Sequence, residues 1–310
     1  MKKLFFLCAL TISSTALAQI TTITQGLVGE WTFNSGNATA DFGGVNGTTA
    51  STIVIADRYG CPGQAMYFDM SQTALISLGD NFDNTTSMSD SEWSISCWFQ
   101  LDSMNNPYAP MWNKYSHNAC GVDERQFILR MTANNEVEFT YNMGLQWVDY
   151  RIVRCTNVIN DREWHHVVVN YNGTINTNDG HDRVEIYIDN VLQNTTLAAS
   201  GGPMGSITSG QAHLGIGARL NENGNYCPIT GQDHLWHGGL DDYRLYNRNL
   251  TAAEVDTLYN ESSTCGSSLA NNKTFEDINV YPNPASDMLS IEWSTRSEPL
   301  ENYSITILDS

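Results

Sequence analysis

Basic side chains are scarce in this 310-residue chain, which carries 15 Lys and Arg against 34 Asp and Glu, a formal net charge of −19. A chain this acidic repels phosphate backbones, so its composition argues against nucleic-acid binding. Long apolar runs are missing too, because no stretch approaches the ~20 apolar residues that a membrane-spanning helix needs. The sequence therefore predicts neither a nucleic-acid partner nor a transmembrane span.

Residues 1–18 are typical of a secretory signal peptide. Lys2 and Lys3 form a basic start, residues 4–10 are apolar, and Ala16-Leu17-Ala18 fits the small-residue cleavage pattern. The sequence therefore predicts export, and a secreted or cell-surface protein.

No Cys-x-x-Cys pair occurs, which argues against a zinc cluster or a thioredoxin-type site. Outside the signal peptide the cysteines are Cys61, Cys97, Cys120, Cys155, Cys227 and Cys265. An even count outside the cytoplasm favours at least one disulfide, although the pairing stays open. Cys97 is the least certain candidate: it shares a strand face with Ile95 and Phe99, and so is compatible with a buried free thiol.

Helical periodicity is nearly absent, and short runs of alternating apolar and polar residues are separated by Gly, Asn and Asp turns. This pattern predicts an all-β sandwich in a single domain of residues 19–261. Predicted strands cover residues 26–33, 65–78 (two short strands), 92–101, 112–115, 126–131, 136–141, 148–153, 164–171, 184–188, 191–195, 212–216 and 240–246. Residues 34–52 are predicted as a loop and Gly238-Gly239 as a turn.

The end of this domain predicts a short capped helix. Thr251 and Glu254 have the spacing of a capping box, and Leu250 and Val255 that of a hydrophobic staple. Val255, Leu258 and Tyr259 fall on one helical face, so we expect the helix to pack against the sandwich.

The chain changes character after this helix. Residues 262–274 are small and polar, as in a linker. Residues 275–310 contain three prolines from Tyr281 to Pro299 and two strand-like runs, 288–293 and 303–308, which predicts a small separate β module.

Two resemblances follow from these segments. The pieces GLVGEWTFN at Gly26, AMYFDM at Ala65, WSISCWFQ at Trp93, WHHVVVNYNG at Trp164, VEIYIDN at Val184 and GGLDDYRLYNRNLTAAEVDTLY at Gly238 resemble LamG-like jelly-roll domains of the concanavalin A-like lectin/glucanase type. The resemblance implies an antiparallel jelly-roll β-sandwich. Residues 275–310, with VYPNPASDMLSI from Val280, resemble the first strands of a type A sorting domain of the type IX secretion system, which implies that secretion machinery as a partner.

Catalytic groups are hard to find. No Gly-x-Ser-x-Gly occurs, and the acidic pairs Glu136 with Glu138 and Asp182 with Glu185 do not match the ExDxE-type arrangement of jelly-roll hydrolases. We expect Glu136 and Glu138 to lie on a solvated outer sheet face, and Asp182 and Glu185 to point to opposite faces of a strand. An enzyme is therefore disfavoured, with a glycoside hydrolase or lyase of this superfold kept as an alternative.

Histidines occur in two pairs. His165 and His166 are adjacent on a strand, so one is expected to be buried and the other exposed in a packing role. His234 and His237 have the spacing of a metal pair, but no third ligand is evident.

Calcium is the expected cofactor. Many sandwiches of this family hold a structural calcium ion, and the resemblance places Asp241 as a ligand, with backbone oxygens near Asn34 and Gly44 as partners. A second similarity, to pentraxins, implies that Asp123 and Glu124 bind a calcium ion that bridges to a ligand.

Aromatic side chains in loops are the usual platform for sugars. Candidates are Tyr108, Trp112, Trp147, Tyr150 and Trp236. Together these features favour a non-catalytic binding or adhesion module for a glycan or a matrix component, and a structural adhesion segment without a small ligand remains the second alternative.

Overall fold

The computed structural model describes residues 23–82, 91–102, 108–121, 123–144, 148–176, 179–229 and 234–262, together with the backbone of residues 278–281 and 290–293. In chain order the described strands of the main unit are β1 (Leu27–Trp31), β2 (Phe42–Gly43), β3 (Thr48–Ala50), β4 (Ile53–Ile55), β5 (Ala65–Phe68), β6 (Leu75–Ser77), β7 (Glu92–Leu101), β8 (Tyr108–Tyr115), β9 (Arg125–Thr132), β10 (Glu136–Asn142), β11 (Tyr150–Val158), β12 (Trp164–Asn172), β13 (Val184–Ile188), β14 (Val191–Leu192), β15 (Thr195–Gly201), β16 (Leu214–Ile216) and β17 (Gly238–Tyr246).

These strands form two antiparallel sheets. The first sheet has the order β14-β13-β12-β7-β17-β1-β2, with β5 also paired to β17 and β4 to β5. The second has the order β15-β11-β10-β9-β8-β16-β6-β3. Their facing sides enclose one large apolar core. The predicted antiparallel jelly-roll β-sandwich is confirmed.

Strand β17 lies at the centre of the first sheet, between β7 on one side and β1 and β5 on the other. It begins at Gly238, which corrects the predicted turn at Gly238-Gly239. A Cβ atom on Gly238 would lie 2.0 Å from the carbonyl oxygen of Gln100. The glycine is therefore required by the close approach of two strands rather than by a turn.

The loop predicted for residues 34–52 is also corrected, because it contains the short strands β2 and β3. All three residues of β3 are exposed. A strand without a buried face has no apolar alternation, so the sequence pattern gives no signal for it.

Helix α1 (Ala252–Tyr259) closes the main unit as predicted. The Thr251 hydroxyl accepts a hydrogen bond from the Glu254 amide, and the Glu254 carboxylate accepts one from the Thr251 amide, which confirms the capping box. Val255 and Leu258 pack with Leu250 against the first sheet, on the face that points away from the core. We call this side the outer face of the first sheet.

The cysteines divide into two classes. Cys120 and Cys227 form a disulfide with a Cα–Cα distance of 5.6 Å, and Cys61 is disulfide-bonded as well. Cys97 and Cys155 are buried free thiols. For Cys97 this confirms the alternative of a buried free thiol, whereas the inclusion of Cys155 among the disulfide candidates is corrected. Both side chains lie in the apolar core, where burial raises the pKa of Cys155 to about 12. Cys265 lies outside the described residues.

The main unit spans residues 20–263, and the C-terminal residues belong to a second compact unit. In that second unit, Ile278–Tyr281 (β18) and Ser290–Trp293 (β19) pair as antiparallel strands. The predicted signal peptide (1–18), nearly all of the predicted linker (262–274) and the remainder of the predicted sorting domain lie outside the described residues. No helix in the described part of the chain is long and apolar enough to cross a membrane.

Candidate functional site

Trp112 and Trp236 are fully buried, which corrects the prediction that they lie in loops as exposed ring platforms. Trp112 packs in the core with its ring centroid 4.8 Å from that of Tyr243, and Trp236 meets Phe99 edge-on at 5.9 Å. Neither indole can therefore offer a face to a ligand. Trp147, the third predicted tryptophan, lies outside the described residues.

Tyr108 is half-buried and already sandwiched. Its ring stacks on His234 at 5.1 Å between centroids, and the guanidinium carbon of Arg130 lies 4.7 Å from its centroid. Tyr150 is half-buried at the start of β11. The rings of both tyrosines are therefore less accessible to a sugar than the sequence predicted.

Asp123 and Glu124 are engaged separately. Asp123 accepts a hydrogen bond from Arg125 Nε at 2.6 Å, while Glu124 accepts one from the Gln211 amide. The predicted ligand-bridging pair stays a prediction, because nothing in their contacts shows the two carboxylates converging on one point.

Glu138 on β10 is buried and Glu136 is half-buried, which corrects the expectation that both lie on a solvated sheet face. Glu138 is fully buried, and its two carboxylate oxygens are taken by Arg130 Nε at 2.7 Å and Arg154 Nε at 2.8 Å. Glu136 lies near Arg154 at 3.6 Å. A carboxylate fixed between two guanidinium groups is poorly suited to act as an acid or a nucleophile.

Asp182 and Glu185 are also placed differently from the expectation. Asp182 lies in a 3-10 turn, His181–Arg183, and Glu185 lies in β13, so they do not share one strand.

The histidine pairs have structural partners. His166 is buried, with Nε2 2.8 Å from the Ser96 hydroxyl, whereas His165 is partly exposed between Asp161 and Asp189, at 2.8 and 2.7 Å. This matches the expected split between the two neighbours. Burial lowers the pKa of His165, but its hydrogen bonds to the two carboxylates outweigh that effect and the net shift is upward.

His234 and His237 do not act as a pair. His234 stacks on Tyr108, while His237 accepts the Met70 amide on Nδ1 at 3.3 Å and has Tyr67 Oη 3.3 Å from Nε2. Among the described residues, no group of three or more His, Cys, Asp or Glu side chains is arranged to hold a metal ion.

Asp241 is buried on the outer face of the first sheet, beside a cation. Arg58 Nη1 lies 3.7 Å from its Oδ2 and forms an ion pair with neighbouring Asp242, while the Asp242 amide donates to Asp241 Oδ1 at 2.8 Å. Burial, followed by repulsion from Asp242, raises the pKa of Asp241 well above its usual range.

The predicted calcium site has a cation beside its carboxylate. Asn34 is exposed, and Gly44 backs against the indole of the core residue Trp31, so close that an added Cβ would lie 2.7 Å from the ring. Calcium prefers six to eight oxygen ligands and a surplus of negative charge, whereas Asp241 faces a guanidinium group. The donor set around Asp241 therefore does not fit calcium.

A cleft of about 600 Å³ opens on the outer face of the first sheet, beside the end of α1. It is lined by Arg58, Tyr59, Trp98, Glu163, Trp164, Tyr259, Asn260, Glu261 and Ser262. Four of these residues are aromatic, in a protein whose other large rings are mostly in the core. The cleft is the candidate functional site.

Trp98 forms one wall of the cleft. Its neighbours on β7, Cys97 and Phe99, point into the core, so Trp98 points outward by the two-residue period of a strand. The indole stacks on Tyr259 of α1, with centroids 5.6 Å apart and planes 13° apart, and on His166 at 5.0 Å. The ring is thereby fixed in orientation by neighbours on a strand and a helix.

The loop of residues 57–61 supplies a second wall. The Asp57 carboxylate accepts hydrogen bonds from the amides of Tyr59 at 2.9 Å and Cys61 at 2.8 Å, which closes the loop on itself. Tyr59 remains 41% exposed, and its hydroxyl donates to the carbonyl oxygen of Glu261. This loop therefore presents an aromatic ring that is accessible from solvent.

Trp164 borders the cleft at the start of β12. A Cβ atom on Gly239 would lie 2.7 Å from the Trp164 ring, so the indole rests directly on the backbone of β17. Gly239 is thus the residue that leaves room for this ring.

Charged groups lie beneath the aromatic walls. Arg244 Nε is 2.7 Å from Glu30 Oε1, and its Nη2 is 2.8 Å from Glu261 Oε2. Burial raises the pKa of Glu261, with Arg244 opposing the shift and Asp242 adding to it. In these ion pairs, each buried carboxylate under the cleft has a guanidinium group beside it that offsets its charge.

Sequence reasoning missed this cleft because its residues come from four separate segments. One signal was available: the outward direction of Trp98 follows from the predicted inward direction of Cys97. A large aromatic residue on the outer face of a strand needs either a covering element or a ligand.

Comparison with known proteins places the fold. Residues 76–256, more than half of the chain, match the family Laminin_G_3, described as the concanavalin A-like lectin/glucanases superfamily. No curated protein matches the sequence.

Several solved structures share the fold. One is domain 4 of an extracellular GH43 arabinanase from Geobacillus stearothermophilus in complex with arabinotriose, with 13% identity, a TM-score of 0.50, and coverage of 74% of this chain and 97% of that one. Another is the binding domain of botulinum neurotoxin DC in complex with SialylT, with 12% identity, a TM-score of 0.54, and coverage of 83% and 55%. A third is the binding domain of Paraclostridial Mosquitocidal Protein 1, with 14% identity, a TM-score of 0.52, and coverage of 76% and 52%. The chain spans about half the length of these two toxin structures.

Proposed function

This chain belongs to the Laminin_G_3 family of the concanavalin A-like lectin/glucanases superfamily, and we propose that it is a non-catalytic binding module that takes a carbohydrate in the cleft beside Trp164 and Tyr59. The observation that carries the proposal is the aromatic lining of this cleft, in which Tyr59 is 41% exposed and Trp164 is half-buried.

The chemistry of the lining suits a sugar. The apolar C–H faces of a pyranose or furanose ring pack on aromatic rings, and its hydroxyl groups need hydrogen-bonding partners at the edges. Glu163, Asn260 and Ser262 are exposed polar residues at the rim. A volume of about 600 Å³ lies in the range of small-ligand sites.

Fold relatives support carbohydrate as the ligand class. One matched structure holds arabinotriose and another SialylT. At 12–14% identity they share the fold alone, and binding sites on one fold differ between proteins. We further propose that the module acts outside the cell or at its surface, on the basis of the signal peptide and the type IX sorting segment predicted from the sequence.

A glycan array tests the function. We expect binding to at least one glycan class, and we expect Trp164→Ala to weaken it by about tenfold or more, since loss of a stacked ring removes ~1–3 kcal/mol. Phe42→Ala is the matched control, because Phe42 is 45% exposed on β2 and does not line the cleft. No binding to any glycan, or equal loss in both variants, would leave a structural adhesion segment as the better account.

A further inference from the structure

Acidic residues outnumber basic residues in the lining of the cleft. Its lining contains one cationic residue, Arg58, and two acidic residues, Glu163 and Glu261. The positive charge of Arg58 is already offset by two aspartates, because its guanidinium group pairs with Asp242 and lies 3.7 Å from Asp241. Glu261 is paired in turn with Arg244, so the charged group of the lining that is left for a ligand to meet is Glu163, and it is negative.

Both arginines beneath the cleft are paired with carboxylates. Their two guanidinium groups, Arg58 and Arg244, face four carboxylates, those of Asp241, Asp242, Glu30 and Glu261. Burial first, and repulsion from Asp242 in addition, raise the pKa of both Asp241 and Glu261, so each carboxyl group ionises less readily than an exposed one. An additional cation nearby would lower the free energy of this cluster, and an additional anion would raise it.

The aromatic walls also favour a cation. The guanidinium carbon of Arg58 lies 4.3 Å from the centroid of Trp98 and 4.5 Å from that of Tyr59, so these rings already hold one positive group over their faces. The rings of Trp164 and Tyr259 line the remaining space. A second cation can be held there by ring faces and by Glu163 together.

We propose that the cleft selects a carbohydrate with a free ammonium group, that is, an amino sugar without its acetyl group, and discriminates against sugars that carry carboxylate or sulfate. The sugar ring would stack on Trp164, and its ammonium group would face Glu163. This specificity rests on the carbohydrate-binding function proposed above.

Calorimetric titration of three matched trisaccharides tests the specificity. The probes are the glucosamine trimer, the N-acetylglucosamine trimer and the galacturonic acid trimer, compared at about pH 5.5, where amines are charged and exposed carboxylates are ionised. We expect the amine probe to bind about tenfold more tightly than the neutral one, because one exposed ion pair and one cation–π contact together contribute about that factor in affinity. We expect the acidic probe to bind most weakly, and only the amine affinity to fall steeply with salt.

Glu163→Gln is the informative variant, because Glu163 is exposed and its replacement leaves the buried ion pairs intact. It should abolish most of the amine preference while leaving the neutral probe unchanged. Glu92→Gln is the matched control: Glu92 is an exposed glutamate at the start of β7, six residues or about 20 Å along the strand from Trp98.

The outcomes separate the two proposals. Failure of all three probes, and of every glycan on the array, overturns carbohydrate binding itself. Equal affinity for the amine and neutral probes, or tightest binding of the acidic probe, overturns the amino-sugar specificity and leaves carbohydrate binding standing. An amine preference that persists in Glu163→Gln also overturns the proposed specificity mechanism.

Discussion

Arg58 lies against Trp98, with its guanidinium carbon 4.3 Å from the indole centroid, and the same guanidinium group neutralises Asp242. One side chain thus joins the wall of the cleft to the buried charges beneath it. The cleft and the stability of β17 are therefore coupled through Arg58.

Replacement of Arg58 by Met should destabilise the protein by about 2–4 kcal/mol, because it leaves buried Asp241 and Asp242 without their cation. Adding Asp242→Asn should recover part of this loss, and Asn tolerates the positive φ of 47° at that position. Urea unfolding of both single variants and the double variant measures the coupling. Additive effects would mean that the ion pair makes no net contribution.

Gly239→Ala should impair ligand binding more than it impairs folding. The new Cβ would sit 2.7 Å from the Trp164 ring and would push the indole out of its place beside the cleft. We expect a loss of affinity of about tenfold with a decrease in stability of about 1–2 kcal/mol, in the range of overpacking. Gly205→Ala serves as the control, since its Cβ would meet Met143 at an ordinary 3.5 Å. Unchanged affinity in Gly239→Ala would show that the position of Trp164 does not matter for binding.

The sequence predicted the sandwich because its strands have one buried face. In β7, Ile95, Cys97 and Phe99 alternate with outward residues, and this alternation alone fixes both the strand and its orientation. The capping box at Thr251 and Glu254 was predictable for a similar reason, since both partners lie within one turn. A pattern within one strand or one helical turn is therefore sufficient to predict that element.

The cleft was not predictable in the same way, because it depends on which outer-face residues meet across strands. Trp112 and Trp164 look alike in the sequence, each followed by a polar residue, yet one is in the core and the other borders the cleft. A β-bulge between Pro110 and Trp112 shifts the register of β8, and Met111 and Trp112 both face the core as a result. At a bulge of this kind, two consecutive residues can face the same side of the sheet, so a prediction that assumes strict alternation assigns one of them to the wrong face.

Loss of the disulfide between Cys120 and Cys227 should destabilise the main unit strongly. The bond joins positions 107 residues apart, so it restricts the unfolded chain over a long loop. We expect the double Ser variant to lose about 2–5 kcal/mol. Cys155→Ala is the comparison: it removes a buried free thiol, and should cost only the packing of one sulfur atom. Similar losses in the two variants would argue against a special role for the cross-link.

Acid should weaken the attachment of α1 through Glu254. Its carboxylate accepts hydrogen bonds from Arg248 Nη2 at 2.6 Å and from the Thr251 amide at 2.9 Å, and these contacts, Arg248 foremost, lower its pKa from 4.5 to about 2. Because the pKa is lower in the folded state, the stabilisation is complete above about pH 4.5 and is lost as the pH falls towards 2.

Glu254→Gln should therefore be less stable than wild type by about 1 kcal/mol near pH 7, a figure reduced for solvent screening of this partly exposed group. Urea unfolding from pH 7 to 2 should show the two proteins converging in acid. A stability difference that stays constant across this range would mean that packing of the side chain, rather than its charge, holds the start of the helix.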